Sequence, residues 1–281
     1  MNRLIVIFAV FLMMSAPVPR VLADDDRDAG DVRPNEIRAG IGIYNANASV
    51  PVPLLSGKQI EEVLNGGVAK IREKGATPDD PQRALGYILI DHPRPAVWLA
   101  ALEPDYLPVK GLTEYQAKSD SVGNSTWYQH IKLPWPVTNR HWLIDLTNNL
   151  ELADATRGKV WEQTWDLNPG GEAEAKRLVG RGLVSGITMA EAQKSIFTPV
   201  NHGAWIAVRL REDKTLLIYG VTSVIGGMIP ESLVVRYAMS TLDELLYGIA
   251  DRAEKMRTLF ANGNYPVPGG DGEPFPAGLG Y

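Results

Sequence analysis

The chain has 281 residues, of which 45% are hydrophobic and 22% charged, and its formal net charge is −5. This composition is typical of a globular protein that is long enough to enclose a sizeable core. A mildly acidic chain without a basic cluster argues against nucleic-acid binding. The sequence contains no cysteine, which excludes disulfides, thiolate zinc sites and cysteine nucleophiles.

Residues 1–23 are predicted to be a secretory signal peptide. A short basic start precedes an apolar run at residues 4–14, and Ala23 is a small residue at the expected cleavage position. The run is shorter than the roughly 18 residues that suggest a transmembrane helix. An uncleaved N-terminal anchor is the alternative. We expect cleavage after Ala23 and a periplasmic or secreted protein.

Residues 24–55 are predicted to be a weakly ordered N-terminal segment, followed by one α+β domain over residues 56–260. Ser56 is a candidate N-cap for a short helix, "GKQIEEVL". "VAKIRE" and "RALGYILID" have the pattern of strands, and "PRPAVWLAAL" that of a helix with prolines near its start.

A series of strand-like segments follows, separated by short turns that favour antiparallel neighbours. Trp142 and Ile144, for example, alternate with polar residues as in a half-buried strand. An insertion at residues 170–194 is predicted to contain one or two short helices. The predicted strands span residues 112–118, 125–133, 140–152, 159–167, 196–211 and 215–224.

The strongest helix signal lies near the C terminus. Apolar residues recur every three or four positions from residue 235 to 260, which gives one broad apolar stripe. Thr241 and Glu244 have the spacing of a capping box, which predicts a bend or restart near Ser240. Residues 261–281 are rich in glycine and proline and are predicted to be irregular.

No convincing catalytic set emerges from the sequence. It contains no Walker-type loop, dinucleotide fingerprint or His-Glu-x-x-His motif. His130 and His141 lie on adjacent predicted strands, but no acidic residue stands at a supportive spacing. Asp145, Glu162 and Asp166 alternate with apolar residues, which predicts positions on the solvent face of the sheet. We therefore predict no catalytic residues, no metal and no cofactor.

Several motifs nevertheless occur in a familiar order. The strand end "LPWPV" is followed by Asn139 and Arg140, "NHGAWIAVRL" opens a long strand, and "TLLIYGVTSVIGG" precedes Ile-Pro and the closing helix. This arrangement resembles the START family of lipid transfer domains, within the helix-grip superfamily, over residues 56–260. Many members carry an acid directly after the matching arginine, whereas His141 stands there in this chain.

The resemblance implies a helix-grip fold, in which a curved antiparallel sheet wraps around a long C-terminal α-helix. It also implies a tunnel for one lipid, sterol or other hydrophobic molecule, no cofactor, and binding or transfer in most members. We expect a monomer that makes transient membrane contact. Trp135 is expected to cover an end of the sheet between two prolines that stop the strand.

The predicted gate consists of Gly226, Gly227, Met228 and Ile229, because glycine accepts the backbone angles of a hinge. Alanine at both glycines is expected to slow ligand exchange. The predicted cavity residues include Arg140 as a polar anchor near one end. Together they are Trp127, Ile131, Arg140, Trp142, Ile144, Trp161, Trp165, Ile206, Val208, Ile218, Met239, Leu242, Leu246 and Ile249.

Two alternatives stay open at this point. The first is a helix-grip enzyme of the cyclase/aromatase or hydrolase kind, which an inward-facing His130 or His141 near Arg140 would favour. The second is an interaction protein with a collapsed cavity, in which the tryptophans are plain core. Sequence patterning does not distinguish a tightly packed helix and sheet from a pair with a cavity between them.

Overall fold

A nine-stranded sheet and a long C-terminal helix form the framework of the computed structural model. The structure describes residues 31–75, 77, 80–102, 111–133, 135–227, 229 and 231–281. The predicted signal peptide and the gate residue Met228 lie outside the described residues.

The secondary structure follows the predicted order. The strands are β1 (Ala69–Glu73), β2 (Arg83–Ile90), β3 (Leu112–Ser119), β4 (Ser125–Ile131), β5 (Arg140–Asn148), β6 (Val160–Leu167), β7 (Ile196–Phe197), β8 (Val200–Arg211) and β9 (Lys214–Val224). The helices are α1 (Pro34–Asn45), α2 (Gly57–Leu64), α3 (Arg94–Leu102), α4 (Leu150–Ala155), α5 (Gly171–Gly180), α6 (Met189–Lys194) and α7 (Glu231–Leu259).

The sheet has the order β1-β2-β9-β8-β6-β5-β4-β3, and each neighbouring pair along this path is antiparallel. The short β7 pairs in parallel with the start of β5. The sheet is curved but not closed into a barrel, and α7 packs against β2 and α3. The predicted α+β helix-grip fold is confirmed.

The two faces of the sheet bury different clusters. The inner face, defined here as the face toward α7, packs Trp205, Ala207 and Leu217 against α3 and α7. The outer face packs β2, β8 and β9 against α1 and α2. Helices α5 and α6, which form the insertion, cover the outer face of β4 and β5. The insertion therefore lies on the far side of the sheet from α7.

The N-terminal segment is more ordered than predicted. Within residues 24–55, α1 begins with Pro34, and the Glu36 carboxylate accepts a hydrogen bond from the Arg33 backbone N–H at 2.8 Å. Ile37, Ile41 and Tyr44 recur at helical spacing and are fully buried against the outer face. The expectation of weak order therefore does not hold for this helix.

Three further elements differ from the prediction. The predicted strand over residues 196–211 is divided into β7, which pairs with β5, and β8, which pairs with β6 and β9. The predicted strand over residues 140–152 ends at Asn148, because Asn149 caps the Leu152 N–H and starts α4. Helix α7 continues through Ser240 without a break. The Thr241 hydroxyl donates to the Ala238 carbonyl at 3.0 Å instead of capping a new helix.

The C-terminal tail over residues 261–281 contains no α-helix or strand, apart from a short 3-10 turn at Ala277–Gly280. It nevertheless packs closely on the protein, because the backbone of Gly270 lies against the indole rings of Trp98 and Trp161. Within the described part of the chain, none of the helices is both long and apolar enough to cross a membrane.

Candidate functional site

A cavity of about 760 Å³ lies between the inner face of the sheet and the first half of α7. This volume is in the range of roughly 300–1,000 Å³ that is typical of small-molecule sites. Its described lining residues are Gln82, Ala84, Leu112, Gln129, Ile131, Trp142, Ile144, Leu146, Trp165, Asn201, Trp205, Tyr219, Val221, Ser223, Ile225, Val234, Val235, Tyr237, Ala238, Thr241, Glu244 and Leu245.

Aromatic rings form one wall of this cavity. The ring of Tyr219 stacks on Trp165, with centroids 5.7 Å apart, and packs on Trp205 at 4.4 Å. The indole N–H of Trp142 donates to Gln129 Oε1 at 2.5 Å. Because such bonds satisfy the polar edge of an indole, the ring offers mainly carbon to a ligand. Burial raises the pKa of Tyr219, so its hydroxyl stays protonated.

Four of the predicted strand residues line the cavity: Ile131, Trp142, Ile144 and Trp165. That they bind a ligand stays a prediction.

Two predicted tryptophans lie on the inner face but outside the cavity lining. Trp127 packs on the edge of the inner cluster and donates to Ser125 Oγ at 3.0 Å. Trp161 stands against Trp98, with ring centroids 5.6 Å apart, and the Arg94 guanidinium lies 3.5 Å from its ring centroid. Trp161 therefore belongs to the packed region beneath the C-terminal tail.

Three predicted residues face away from the cavity. Ile206, Val208 and Ile218 belong to the outer cluster, against α1 and α2. Their neighbours Trp205 and Tyr219 have the inward orientation instead. Both faces of β8 and β9 are buried, so apolar residues occupy both phases of the alternation, and the pattern does not reveal which phase points inward.

The predicted helix residues also lie beside the cavity, not on it. Leu242 and Leu246 pack against β2, where Gly86 leaves room for them, and Ile249 packs in the core formed with α3. Met239 is half-buried and does not line the cavity. Most of the apolar stripe of α7 thus packs directly against β2 and α3 and leaves no space for a ligand there. The described α7 residues that line the cavity include Val235 at the start of this stripe, and the others lie beside it. They are Val234, Val235, Tyr237, Ala238, Thr241, Glu244 and Leu245.

Arg140 does not point into the cavity as a polar anchor. Its side chain is 3% exposed and bonds to backbone carbonyls on two loops. Nε donates to Ile225 O at 2.7 Å, Nη2 donates to Gly226 O at 2.9 Å, and Nη1 donates to Thr138 O. We call residues 225–227 the gate turn and this set of hydrogen bonds the clamp. The clamp joins the gate turn to the loop between β4 and β5.

The gate glycines have left-handed backbone angles, with φ of 70° at Gly226 and 75° at Gly227. A Cβ on Gly227 would lie 3.1 Å from Arg140 Nη2, and one on Gly226 would lie 3.2 Å from Ile196. Alanine at these positions would strain the turn and crowd the clamp. From this geometry we expect faster ligand exchange instead of slower exchange, and the effect stays a prediction.

His130 and His141 lie on the outer face, under the insertion. His130 Nε2 is 3.0 Å from Ser195 Oγ, and His141 Nδ1 is 3.3 Å from the Tyr128 hydroxyl. Burial lowers the pKa of both histidines, that of His141 to about 4. They are uncharged near neutral pH and separated from the cavity by the sheet. Among the described residues, no cluster of His, Cys, Asp or Glu is suited to a metal ion.

The three acidic strand residues have different environments. Asp166 is exposed, as predicted, and Asp145 is half-buried. Glu162 is only 3% exposed, because α1 and α4 cover it, so its predicted solvent position is wrong. Its carboxylate accepts hydrogen bonds of 2.6 Å from both the Tyr44 hydroxyl and the Asn149 amide. This buried carboxylate joins the N-terminal segment to the sheet.

Trp135 is 92% exposed, so the expectation that it covers an end of the sheet is wrong. It lies in the loop between β4 and β5, which the clamp joins to the gate turn. An indole this exposed contributes little to folding.

Several solved protein structures are similar to this chain in architecture. Human STARD10 is 9% identical, with a TM-score of 0.51 over 70% of this chain and 73% of that protein. Human StAR-related lipid transfer protein 5 is 11% identical, with a TM-score of 0.46 over 79% of this chain and 95% of that protein. The Zhui aromatase/cyclase from Streptomyces is 10% identical, with a TM-score of 0.39 over 62% and 93%. No family model and no curated protein matches the sequence.

Proposed function

Since the chain has the START-type helix-grip fold, we propose that it binds a lipid, sterol or other hydrophobic molecule and carries it through the periplasm. The observation that carries this proposal is the aromatic-walled cavity of about 760 Å³. Burying roughly 300 Å² of apolar ligand surface contributes about 7 kcal/mol at ~25 cal/mol/Å², before the cost of ordering. A burial free energy of this size is enough to hold the ligand while still allowing its release.

Export is part of this proposal and rests on the predicted signal peptide. N-terminal sequencing of the protein from a periplasmic fraction tests it. A mature chain that begins at Asp24 supports export, and a chain that retains residues 1–23 contradicts cleavage.

Transient membrane contact is supported by Trp135. Tryptophan is favoured at membrane interfaces, where its ring is apolar and its N–H remains hydrated. The clamp connects the loop of Trp135 to the gate turn. Insertion of this indole into a bilayer would therefore pull on the loop whose carbonyl helps to hold the gate turn.

We propose binding instead of catalysis. The enzyme alternative requires polar groups that converge inside the cavity, and the two histidines that would favour it lie on the outer face. Glu244 is the carboxylate among the described lining residues. Incubation with the ligand recovered from the protein tests this part, because a chemically changed product would favour the enzyme.

Native mass spectrometry of the protein from its own periplasm, followed by organic extraction, tests the whole proposal. A monomer with one bound apolar molecule supports it. A protein that stays empty and takes up no hydrophobic molecule when offered a lipid extract would overturn it and favour an interaction protein.

A further inference from the structure

One end of the cavity wall contains a pair of neutral polar side chains. Asn201 on β8 lies directly opposite Ser223 on β9, and both line the cavity. Directly opposed residues in an antiparallel pair have Cβ atoms about 4.5–5.5 Å apart. A single oxygen atom of a ligand can therefore contact both side chains at once.

This pair lies at the gate end of the cavity. Ser223 precedes Ile225, whose carbonyl belongs to the clamp, by two residues. Asn201 follows Pro199, which packs beside Gly226, by two residues. A ligand group held here would lie next to the opening, with the rest of the molecule along the aromatic wall.

The orientation of the Asn201 amide is determined by Trp165. The indole Nε1–H, which can only donate, is 3.1 Å from Asn201 Oδ1. The amide nitrogen must therefore point away from Trp165. Within the described part of the chain, neither this nitrogen nor the Ser223 hydroxyl has a hydrogen-bond partner. The pair offers donors that the protein itself leaves unused.

The charge of the surrounding wall indicates which ligand group fits. The nearby wall is apolar and aromatic, with Trp205, Tyr219 and Val221, and none of the described lining residues is a lysine or arginine. Burial of an anion there without a cation would cost free energy, so the neutral donors suit an uncharged acceptor. A carbonyl oxygen of an ester, ketone or amide meets both requirements.

On the basis of the proposed function, we infer that Asn201 and Ser223 form a polar subsite for the uncharged carbonyl oxygen of an otherwise apolar ligand. The ligand then enters with its apolar end first, and its polar end stays at the gate. This subsite selects among hydrophobic molecules that the aromatic wall alone would not distinguish.

Three probes with the same chain test this inference: methyl hexadecanoate, the hexadecanoate anion and hexadecane. Their affinities are measured from the change in intrinsic tryptophan emission. The wild-type protein is expected to bind the methyl ester more tightly than the other two. Ser223→Ala and Asn201→Asp each remove one donor, and Asp retains an acceptor for Trp165. Each variant should weaken ester binding about fivefold and leave hexadecane binding unchanged.

Ser240→Ala is the matched control for Ser223→Ala. Ser240 is exposed on α7 and is not among the described lining residues, so loss of its hydroxyl should leave ester affinity unchanged. Equal ester affinity in the wild type and both subsite variants would overturn the subsite, as would tighter binding of the anion. Failure of all three probes to bind the wild-type protein would instead count against the proposed function itself.

Discussion

Replacement of Arg140 by lysine tests whether the clamp holds the gate turn closed. The guanidinium reaches the carbonyls of Ile225 and Gly226 at 2.7 and 2.9 Å and bonds Thr138 with its remaining nitrogen. Lysine keeps the positive charge but replaces this planar fork by a single ammonium group on a flexible stem. It cannot occupy all three hydrogen-bond positions in one geometry.

The size of the effect follows from the contacts. A hydrogen bond to a charged group contributes about 1.5–3 kcal/mol, and the Arg140 side chain is almost fully buried. If lysine keeps one of the two gate-turn carbonyls, the closed turn loses about 2 kcal/mol. A change of about 2 kcal/mol raises the population of the open turn roughly 30-fold. Release of a bound ligand should accelerate by a similar factor if opening limits it.

Release is measured as transfer of a pyrene-labelled lipid from the protein to vesicles, and opening as amide hydrogen exchange at residues 225–227. Arg177→Lys is the control, since Arg177 pairs with Glu174 on the exposed side of α5. Unchanged release and unchanged exchange in folded Arg140→Lys protein would refute the clamp. A uniform rise in exchange across the sheet would also refute it, because that result indicates a purely structural role.

The same assay checks the gate glycines. Alanine at both Gly226 and Gly227 is expected to accelerate release, because the two residues adopt left-handed angles and Gly227 lies against Arg140. Slower release in the folded double variant would support the simple hinge that the sequence suggested and contradict the clamp.

Three other predictions concern the surface, the core and pH. Trp135→Ala should lower binding to lipid vesicles several-fold in a sedimentation assay, whereas Tyr247→Ala, at another exposed aromatic, should not. Tyr44→Phe should lower the free energy of unfolding in urea by about 1–3 kcal/mol, because a buried carboxylate loses a donor; a change near zero would contradict this role. Because the pKa of His141 is lowered to about 4 in the folded state, its neutral form stabilises the fold above pH 6.5. That stabilisation is lost as pH falls from about 6.5 toward 4, and His141→Gln should flatten the Tm profile in this window; an unchanged profile would contradict this role.

Local sequence was sufficient for most of the architecture. Ser56 with Gln59 caps α2, the apolar repeat extends through all of α7, and alternation located the long strands. These signals are local, because capping and amphipathic spacing operate within one or two turns or along one strand. The fold class followed from them together with the resemblance carried by the motifs.

The site itself depended on tertiary structure. The alternation along β8 predicted that successive side chains point to opposite faces, but not which of them point to the cavity. In the structure, Trp205 faces the cavity and Ile206 faces α1. Arg140 bonds to Ile225, 85 residues away, and no local pattern predicts such a partner. The amino-acid sequence by itself determined that this chain forms a curved sheet and a long helix. Only packing decided which side of each strand encloses the cavity, because burial on both faces makes the two sides chemically alike.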